Sequence, residues 1–326
     1  MIKRNKKAVV LAAGRSKRMK SSLSKVVTPI LGKPVLLHLL DALAGAGIGP
    51  EDVILVVSPD HEEVKRVVRR PVRYAVQDPP LGTAHALKSA IPFLAGFKGD
   101  LLVMVGDNPY IQSHDLLGLF AEHQEKPAAC TLLSAVFPEV PPPYGRIIRS
   151  ESGDVCKIVE ELDASIEERA IFEVNASIYL FDFPALESRI DRIGNANKKG
   201  EFYLTDIVSI LKEDSLRVRA LPAQDCRVSI GINTKWELSE AIAYLNRVNM
   251  KRLAEEKGVL FLQPESTMVD MDVSIGSETI IYPCTILTEG VTIGERCHIG
   301  PFVLLRGGSV GDGEVVLGNA SGPGQR

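Results

Sequence analysis

The sequence predicts an α/β domain with a mostly parallel sheet followed by a short parallel β-helix, and three observations carry the prediction. From Ala8 to about Asn233, short β-branched runs alternate with amphipathic helical patterns; residues 234–257 form one uninterrupted helical pattern; beyond it, aliphatic residues recur every six positions. Alternation of strand and helix patterns builds βαβ units and hence a parallel sheet. A period of six is neither the helical 3.6 nor the strand period of 2, and it marks hexapeptide coils with three flat faces.

In chain order, AVVLAAG (8–14), PVLLHLLDALAGAG (34–47), DVILVVS (52–58) and DHEEVKRVVRR (60–70) alternate strand and helix, and helical TAHALKSAIPFLAG (83–96) is followed by the apolar strand DLLVMVGD (100–107). In open α/β sheets ligands sit at the carboxyl ends of strands, which draws attention to Gly14 and Asp107. Thr234 with Glu237 three positions later reads as a capping box for a helix bearing Leu238, Ile242, Leu245 and Leu253, and Gly258 stops it. That helix is expected to connect two domains, with boundaries at 1–233, 234–258 and 259–326. In the tail, Ile275, Ile281, Leu287, Ile293, Ile299 and Leu305 form one register of six, and Val273, Thr279, Thr285, Val291, Cys297 and Val303 form a second, two positions earlier. With about 18 residues per coil, 263–326 holds roughly three coils, and the ending NASGPGQR reads as frayed.

A chain of 326 residues, 45% hydrophobic, can bury a sizeable core, and its net charge of −3 offers no basic excess to draw nucleic acid or anionic lipid. Phosphate binding must therefore be local. The five cysteines are scattered, odd in number and without a CxxC pair, which points away from a disulfide framework or zinc ribbon and towards a reducing cytoplasm. The apolar stretch 8–14 is too short for a signal peptide and is followed by further basic residues; no apolar run approaches the ~20 residues that span a bilayer.

The first strand leads into LAAGRSKRMKSSLSK (11–25), where a glycine lets backbone N–H groups approach a phosphate and Arg18 and Lys25 add fixed positive charge. A solvated basic turn would have the same composition, so this loop alone leaves both readings open. Seven further ordered motifs accompany it: QDPPLGTAHA (77–86), GDNP (106–109), YGRI (144–147), IVEELDA (158–164), EVNAS (173–177), GEFYLTD (200–206) and GIN (231–233). On these motifs the chain, over residues 8 to about 320, resembles the bifunctional N-acetylglucosamine-1-phosphate uridyltransferase and glucosamine-1-phosphate acetyltransferase family. The resemblance implies a Rossmann-like α/β nucleotidyltransferase domain followed by a left-handed β-helix, and a Mg²⁺-dependent reaction of UTP with a sugar-1-phosphate, N-acetylglucosamine-1-phosphate first among them.

Carried over by motif, the resemblance sets the nucleobase against the backbone of Leu11, Ala12, Ala13 and Gly14, with Gln77, Gly82 and Thr83 at its polar edge and His85 as a packing residue. It assigns Mg²⁺ to Asp107, beside Gly106, with Asn233, and gives Arg18 and Lys25 the catalytic charge. Gly145, Glu160 and Asn175 would take the sugar, with Tyr203 and Thr205 beside them. Several positions depart from the family pattern. Ser16-Lys17 replaces Gly-Thr in the phosphate loop, Ser24 replaces the Pro before the lysine, Leu162 replaces a Lys, and Ala176-Ser177 replaces Thr-Gly. The last two changes lie on the sugar side and leave another hexose-1-phosphate as an alternative; dTTP in place of UTP also stays open, and the altered loop leaves open a regulatory module that binds nucleotide without turnover. An acyltransferase with an accessory α/β domain would need a partner chain to complete its site. The family's acetyltransferase site uses later coils, so no acetyl transfer is expected from this chain, while its coils are expected to join three copies into a homotrimer.

Overall fold

A computed structural model describes residues 5–14, 17–21 and 23–318; the frayed-tail reading at 319–326 and the replacement at Ser16 lie outside the described residues, as does the Lys17 side chain. The chain divides into two compact units, Met1–Lys17 with Leu36–Gly231, and Arg18–Val35 with Ile232–Arg326. The segment Arg18–Val35 thus belongs with the C-terminal unit, a membership that a linear division at residue 233 does not contain.

In the N-terminal unit a sheet runs in the order Val218–Pro222, Cys130–Val136, Glu173–Asp182, Gly99–Val105, Asn5–Leu11, Val53–Val57 and Arg73–Val76, with Arg146–Arg149 and Val155–Val159 attached to one side. The pairs formed by Asn5–Leu11 are parallel, whereas Glu173–Asp182 runs antiparallel to both its neighbours. Val53–Val57 is buried at all five positions, the pattern of a strand covered on both faces. Leu87, Leu94, Phe183 and Leu211 join Val9, Val56, Val103 and Phe181 in the core. Leu11 is paired with Val105. Two strands therefore end level, and the turns beginning at Ala12 and Gly106 leave the sheet together.

The C-terminal unit contains the helix Lys235–Lys257 and the β-helix. Thr234 Oγ accepts the Glu237 N–H at 3.1 Å, the Glu237 carboxylate accepts the Thr234 N–H at 2.8 Å, and Gly258 ends the helix at φ 68°. Three parallel ladders of short strands follow, one of four strands and two of three. Ile286 stacks 18 residues on from Met268 and Leu304 18 on from Ile286, one hexad on each of three faces per coil. Both registers of six point inward: Ile275, Ile281, Leu287, Ile293, Ile299 and Leu305 are buried, and so are Val273, Thr279, Thr285, Val291, Cys297 and Val303.

The helix packs on this β-helix through a face that is not wholly apolar. Its buried residues are Ala241, Leu245, Asn246, Asn249, Met250 and Leu253, while Leu238 and Ile242 are only half-buried. Asn246 works as a substitute strand: its Nδ2 donates to Thr267 O at 2.6 Å and its Oδ1 accepts the Val269 N–H at 3.0 Å, satisfying backbone groups of the first coil. Asn249 Nδ2 donates to Val269 O at 3.2 Å. Replacing Asn246 by Leu would orphan a buried carbonyl and a buried N–H, and is expected to cost about 2–4 kcal/mol. Urea unfolding followed by the fluorescence of Trp236, the single tryptophan, checks this; an unchanged midpoint would contradict it.

Candidate active site

At the end of the first strand the Ala12 N–H donates to Val56 O at 2.7 Å and the Gly106 N–H donates to Leu11 O at 2.8 Å. Leu11 and Ala12 are thereby held between two neighbouring strand ends. A Cβ on Gly106 would lie 3.1 Å from Leu11 O and 3.2 Å from Ala12 Cβ, a closeness that favours glycine. Ala12 and Ala13 are buried and Gly14 is exposed, so backbone rather than side chain faces a ligand here.

Gln77 is buried beside this turn, its Nε2 donating to Gly82 O at 3.0 Å and lying 3.2 Å from His85 Nδ1. His85, expected only to pack, is therefore a polar partner of Gln77; the i, i+8 separation across a turn gave no local signal of it. Gly82 has φ 115°, and a Cβ there would strike Phe202 O at 2.5 Å. The Ala84 N–H donates to Phe202 O at 2.9 Å, and Thr83 Oγ1 accepts the Leu204 N–H at 2.9 Å. The 82–84 turn is thus pinned to the 202–204 segment.

Asp107 is half-buried just past the end of Gly99–Val105. A Cβ on Gly231 would come within 3.1 Å of its carboxylate, so the glycine leaves that carboxylate its space. Asn108 of the GDNP motif is buried and ties the neighbouring chain down: its Nδ2 donates to Val228 O, and its Oδ1 accepts the Tyr110 N–H at 3.0 Å.

The residues expected on the sugar side are brought together within the same unit. Gly145 O accepts the Asn175 N–H at 2.8 Å, a Cβ on Gly145 would lie 3.5 Å from Glu160 Oε1, and Thr205 Oγ1 donates to that same oxygen at 3.1 Å. Burial raises the Glu160 carboxyl above the usual carboxylate range; the Thr205 hydroxyl and the Lys199 charge oppose the rise, while Asp206 and Asp163 add to it. Burial, with the charges of Asp163 and Glu160, pushes the Tyr203 phenol up to about 12. The Tyr203 hydroxyl is buried and makes no hydrogen bond among the described residues, which suits a group that awaits a ligand.

Asn175, expected on the sugar side, has its amide held by two neighbours. Its Nδ2 donates to Tyr179 Oη at 2.6 Å and its Oδ1 accepts the Ser177 N–H at 3.0 Å, which orients the amide across the strand irregularity between Asn175 and Tyr179 and uses one of its two N–H donors and one of its two lone pairs. Ser177 sits there at φ 57°, a left-handed conformation that favours glycine, the residue the family pattern has at this position.

The cationic group lies in the C-terminal unit. Arg18 Nη2 donates to Asn233 Oδ1 at 2.9 Å and Lys25 Nζ donates to the same oxygen at 3.2 Å. Buried Met19, Val26, Val27 and Ile30 anchor the segment that carries them. Its hairpin, Pro29–Ile30 with Lys33–Pro34, turns at Leu31 and Gly32; the Met271 N–H donates to Leu31 O at 3.0 Å, and a Cβ on Gly32 would meet Asp270 Oδ2 at 3.0 Å. Ser24, where the family pattern has Pro, keeps the extended φ of −62° that proline would impose.

Among the described residues no three His, Cys, Asp or Glu side chains gather as a cation cage. Mg²⁺ does not require one, since it takes one or two protein oxygens together with phosphates and water. The Asp107 carboxylate fits that donor chemistry; the Asn233 amide oxygen is of the right kind, but here both its lone pairs are taken by Arg18 and Lys25.

Residues 8–174 match the MobA-like NTP transferase domain family, and residues 272–307 match the bacterial transferase hexapeptide family. The chain is 41% identical over 309 residues to the bifunctional protein GlmU of an Exiguobacterium species, covering 95% of this chain and 68% of that relative. It is 39% identical over 310 residues to GlmU of Bacillus velezensis and 40% identical over 310 residues to GlmU of Bacillus subtilis, in both cases over 95% of this chain and 67% of the relative.

The chain belongs to the GlmU family.

The chain spans about two-thirds of the length of these GlmU relatives. The NTP transferase match takes in the 11–14 turn, Arg18, Lys25, Gln77, Gly82, Asp107, Gly145 and Glu160, and ends one residue before Asn175. Among the described residues no helix is long and apolar enough to cross a membrane. At Ser177, where the backbone takes a positive φ and the family pattern has glycine, Ser177→Gly is expected to stabilise the protein by about 1 kcal/mol. Chemical denaturation at constant slope measures it, and a destabilised variant would contradict the assignment of strain to Ser177.

Proposed function

We propose that the chain joins UTP to N-acetylglucosamine-1-phosphate in a Mg²⁺-dependent nucleotidyl transfer that releases pyrophosphate. The observation that carries this reading is the pair of cations, Arg18 and Lys25, gathered on one amide oxygen of Asn233. Two fixed positive charges at one point on a chain of net charge −3 have a use where phosphates must be drawn together.

The sugar-phosphate oxygen attacks the α-phosphorus of UTP in line. The new bond forms there as the bond from the α-phosphorus to the α,β-bridging oxygen breaks, and the electron pair leaves with pyrophosphate. The nucleophile is already an anion, so no side chain need form a covalent intermediate. Arg18 and Lys25 meet the charge that grows on the α-phosphate and the leaving group. Asp107 would supply a carboxylate oxygen to Mg²⁺, which when bound would neutralise phosphate oxygens; Asn233 would join as a ligand only by releasing Arg18 or Lys25 from its Oδ1.

The Leu11–Gly14 backbone receives the nucleobase. Because Gln77 Nε2 already donates to Gly82 O, its Oε1 is the atom suited to accept the single N–H donor on a uracil edge. Glu160, Thr205 and Tyr203 present acceptors and donors to the sugar hydroxyls and N-acetyl group, while Gly145 leaves room for the ring. Asn175 contributes through the shape of the bulge it stabilises.

Pyrophosphate release by the purified protein, with UTP or dTTP against N-acetylglucosamine-1-phosphate, glucosamine-1-phosphate and glucose-1-phosphate, tests the proposal. Turnover should be highest with UTP and N-acetylglucosamine-1-phosphate, vanish with EDTA, return with Mg²⁺, and fall by about 10²-fold or more in Lys25→Ala. Nucleotide binding without turnover for every pair would refute it.

A further inference from the structure

Asn233 stands one residue ahead of the N-cap of the helix Lys235–Lys257, outside the helical hydrogen-bond ladder, yet its amide oxygen has to hold two cations in place. Glu237 holds its backbone N–H. A capping box requires only that the N3 carboxylate take the N–H of the N-cap residue. Glu237 Oε2 does this for Thr234 at 2.8 Å and also accepts the N–H of Asn233, at 2.6 Å. The second bond is the shorter, and the ionised acceptor makes both of them charge-assisted. The carboxylate is favoured where it lies, at the positive end of the helix dipole.

We infer that Glu237 is a positioning residue for nucleotidyl transfer, fixing the Asn233 peptide and, through Asn233 Oδ1, the places of Arg18 and Lys25. The inference rests on the reading above, in which those two cations meet the phosphates. Glu237 touches neither cation in the contacts described. It acts by denying the Asn233 peptide the freedom to rotate, since rotation would carry Oδ1 away from Arg18 Nη2 and Lys25 Nζ.

The two halves of the capping box separate this role from ordinary helix capping. Thr234→Ala removes the hydroxyl that accepts the Glu237 N–H at 3.1 Å but leaves both bonds made by the Glu237 carboxylate. Glu237→Ala removes both of those bonds, and Glu237→Gln keeps an acceptor oxygen without the charge. Thermal unfolding should show both alanine variants destabilised. The kcat for pyrophosphate release should fall roughly ten-fold or more in Glu237→Ala, because an ångström of displacement at a charged group is costly. It should stay close to wild type in Thr234→Ala and be largely rescued in Glu237→Gln.

Hydrogen exchange at the Asn233 amide supplies a readout independent of turnover. Exchange should accelerate in Glu237→Ala and not in Thr234→Ala. Equal kcat in the two alanine variants, or an Asn233 amide no faster in Glu237→Ala than in Thr234→Ala, would overturn the inference. A wild-type protein inactive with every substrate pair would refute the proposed reaction instead, and the exchange rates would still decide whether Glu237 holds Asn233.

Discussion

One neutral oxygen, Asn233 Oδ1, accepts hydrogen bonds from two cationic side chains, and the proposed chemistry depends on that arrangement. A guanidinium and an ammonium drawn to one oxygen repel each other, a cost that solvent around the exposed Arg18 screens in part. An amide oxygen with two lone pairs can hold both without cancelling their charge, which a carboxylate in the same position would do. The cations therefore remain positive towards an incoming phosphate.

The segment that carries them is built to be stiff. Between Arg18 and Val35, Met19, Val26, Val27, Ile30 and Leu31 are all buried, and the hairpin turn takes a backbone hydrogen bond from Met271 in the first β-helix coil. The helix that starts just after Asn233 is fixed to the same coil by Asn246 and Asn249. The β-helix thus serves as a mount for both the cationic segment and the residue that gathers it. In the N-terminal unit the site is made by close approach. Gly82, Gly106 and Gly231 each stand where a Cβ would press on a backbone or on the Asp107 carboxylate, so the ligand-facing surface there is largely main chain.

Patterns confined to a few neighbouring positions were legible in the sequence. The hexads were readable because each six-residue face must send one aliphatic residue inward, and both registers are buried in the coils. The Thr234–Glu237 box was readable because a cap is settled within four residues, and the ends of the parallel strands followed from the alternation of apolar runs with helices. What escaped notice depends on partners distant in the chain or on residues used against type. Asn246 and Asn249 break the apolar face of their helix because they complete the hydrogen bonding of a coil some 20 residues away. The motif marks Asn175 for the sugar side, but it gives no sign that Tyr179 and Ser177 hold its amide. No local signal could assign Arg18–Val35 to a unit that resumes 200 residues later, and the bond from Glu237 to Asn233 lies one residue outside the familiar cap.

The central claim is that the bond broken lies between the α-phosphorus of UTP and its α,β-bridging oxygen. UTP carrying ¹⁸O in that bridge, incubated with N-acetylglucosamine-1-phosphate and Mg²⁺ and followed by ³¹P NMR, tests it most directly. The account predicts that the label leaves in pyrophosphate and that the nucleotide sugar carries none. Label retained on UMP would mean attack at the β-phosphorus and would contradict the account.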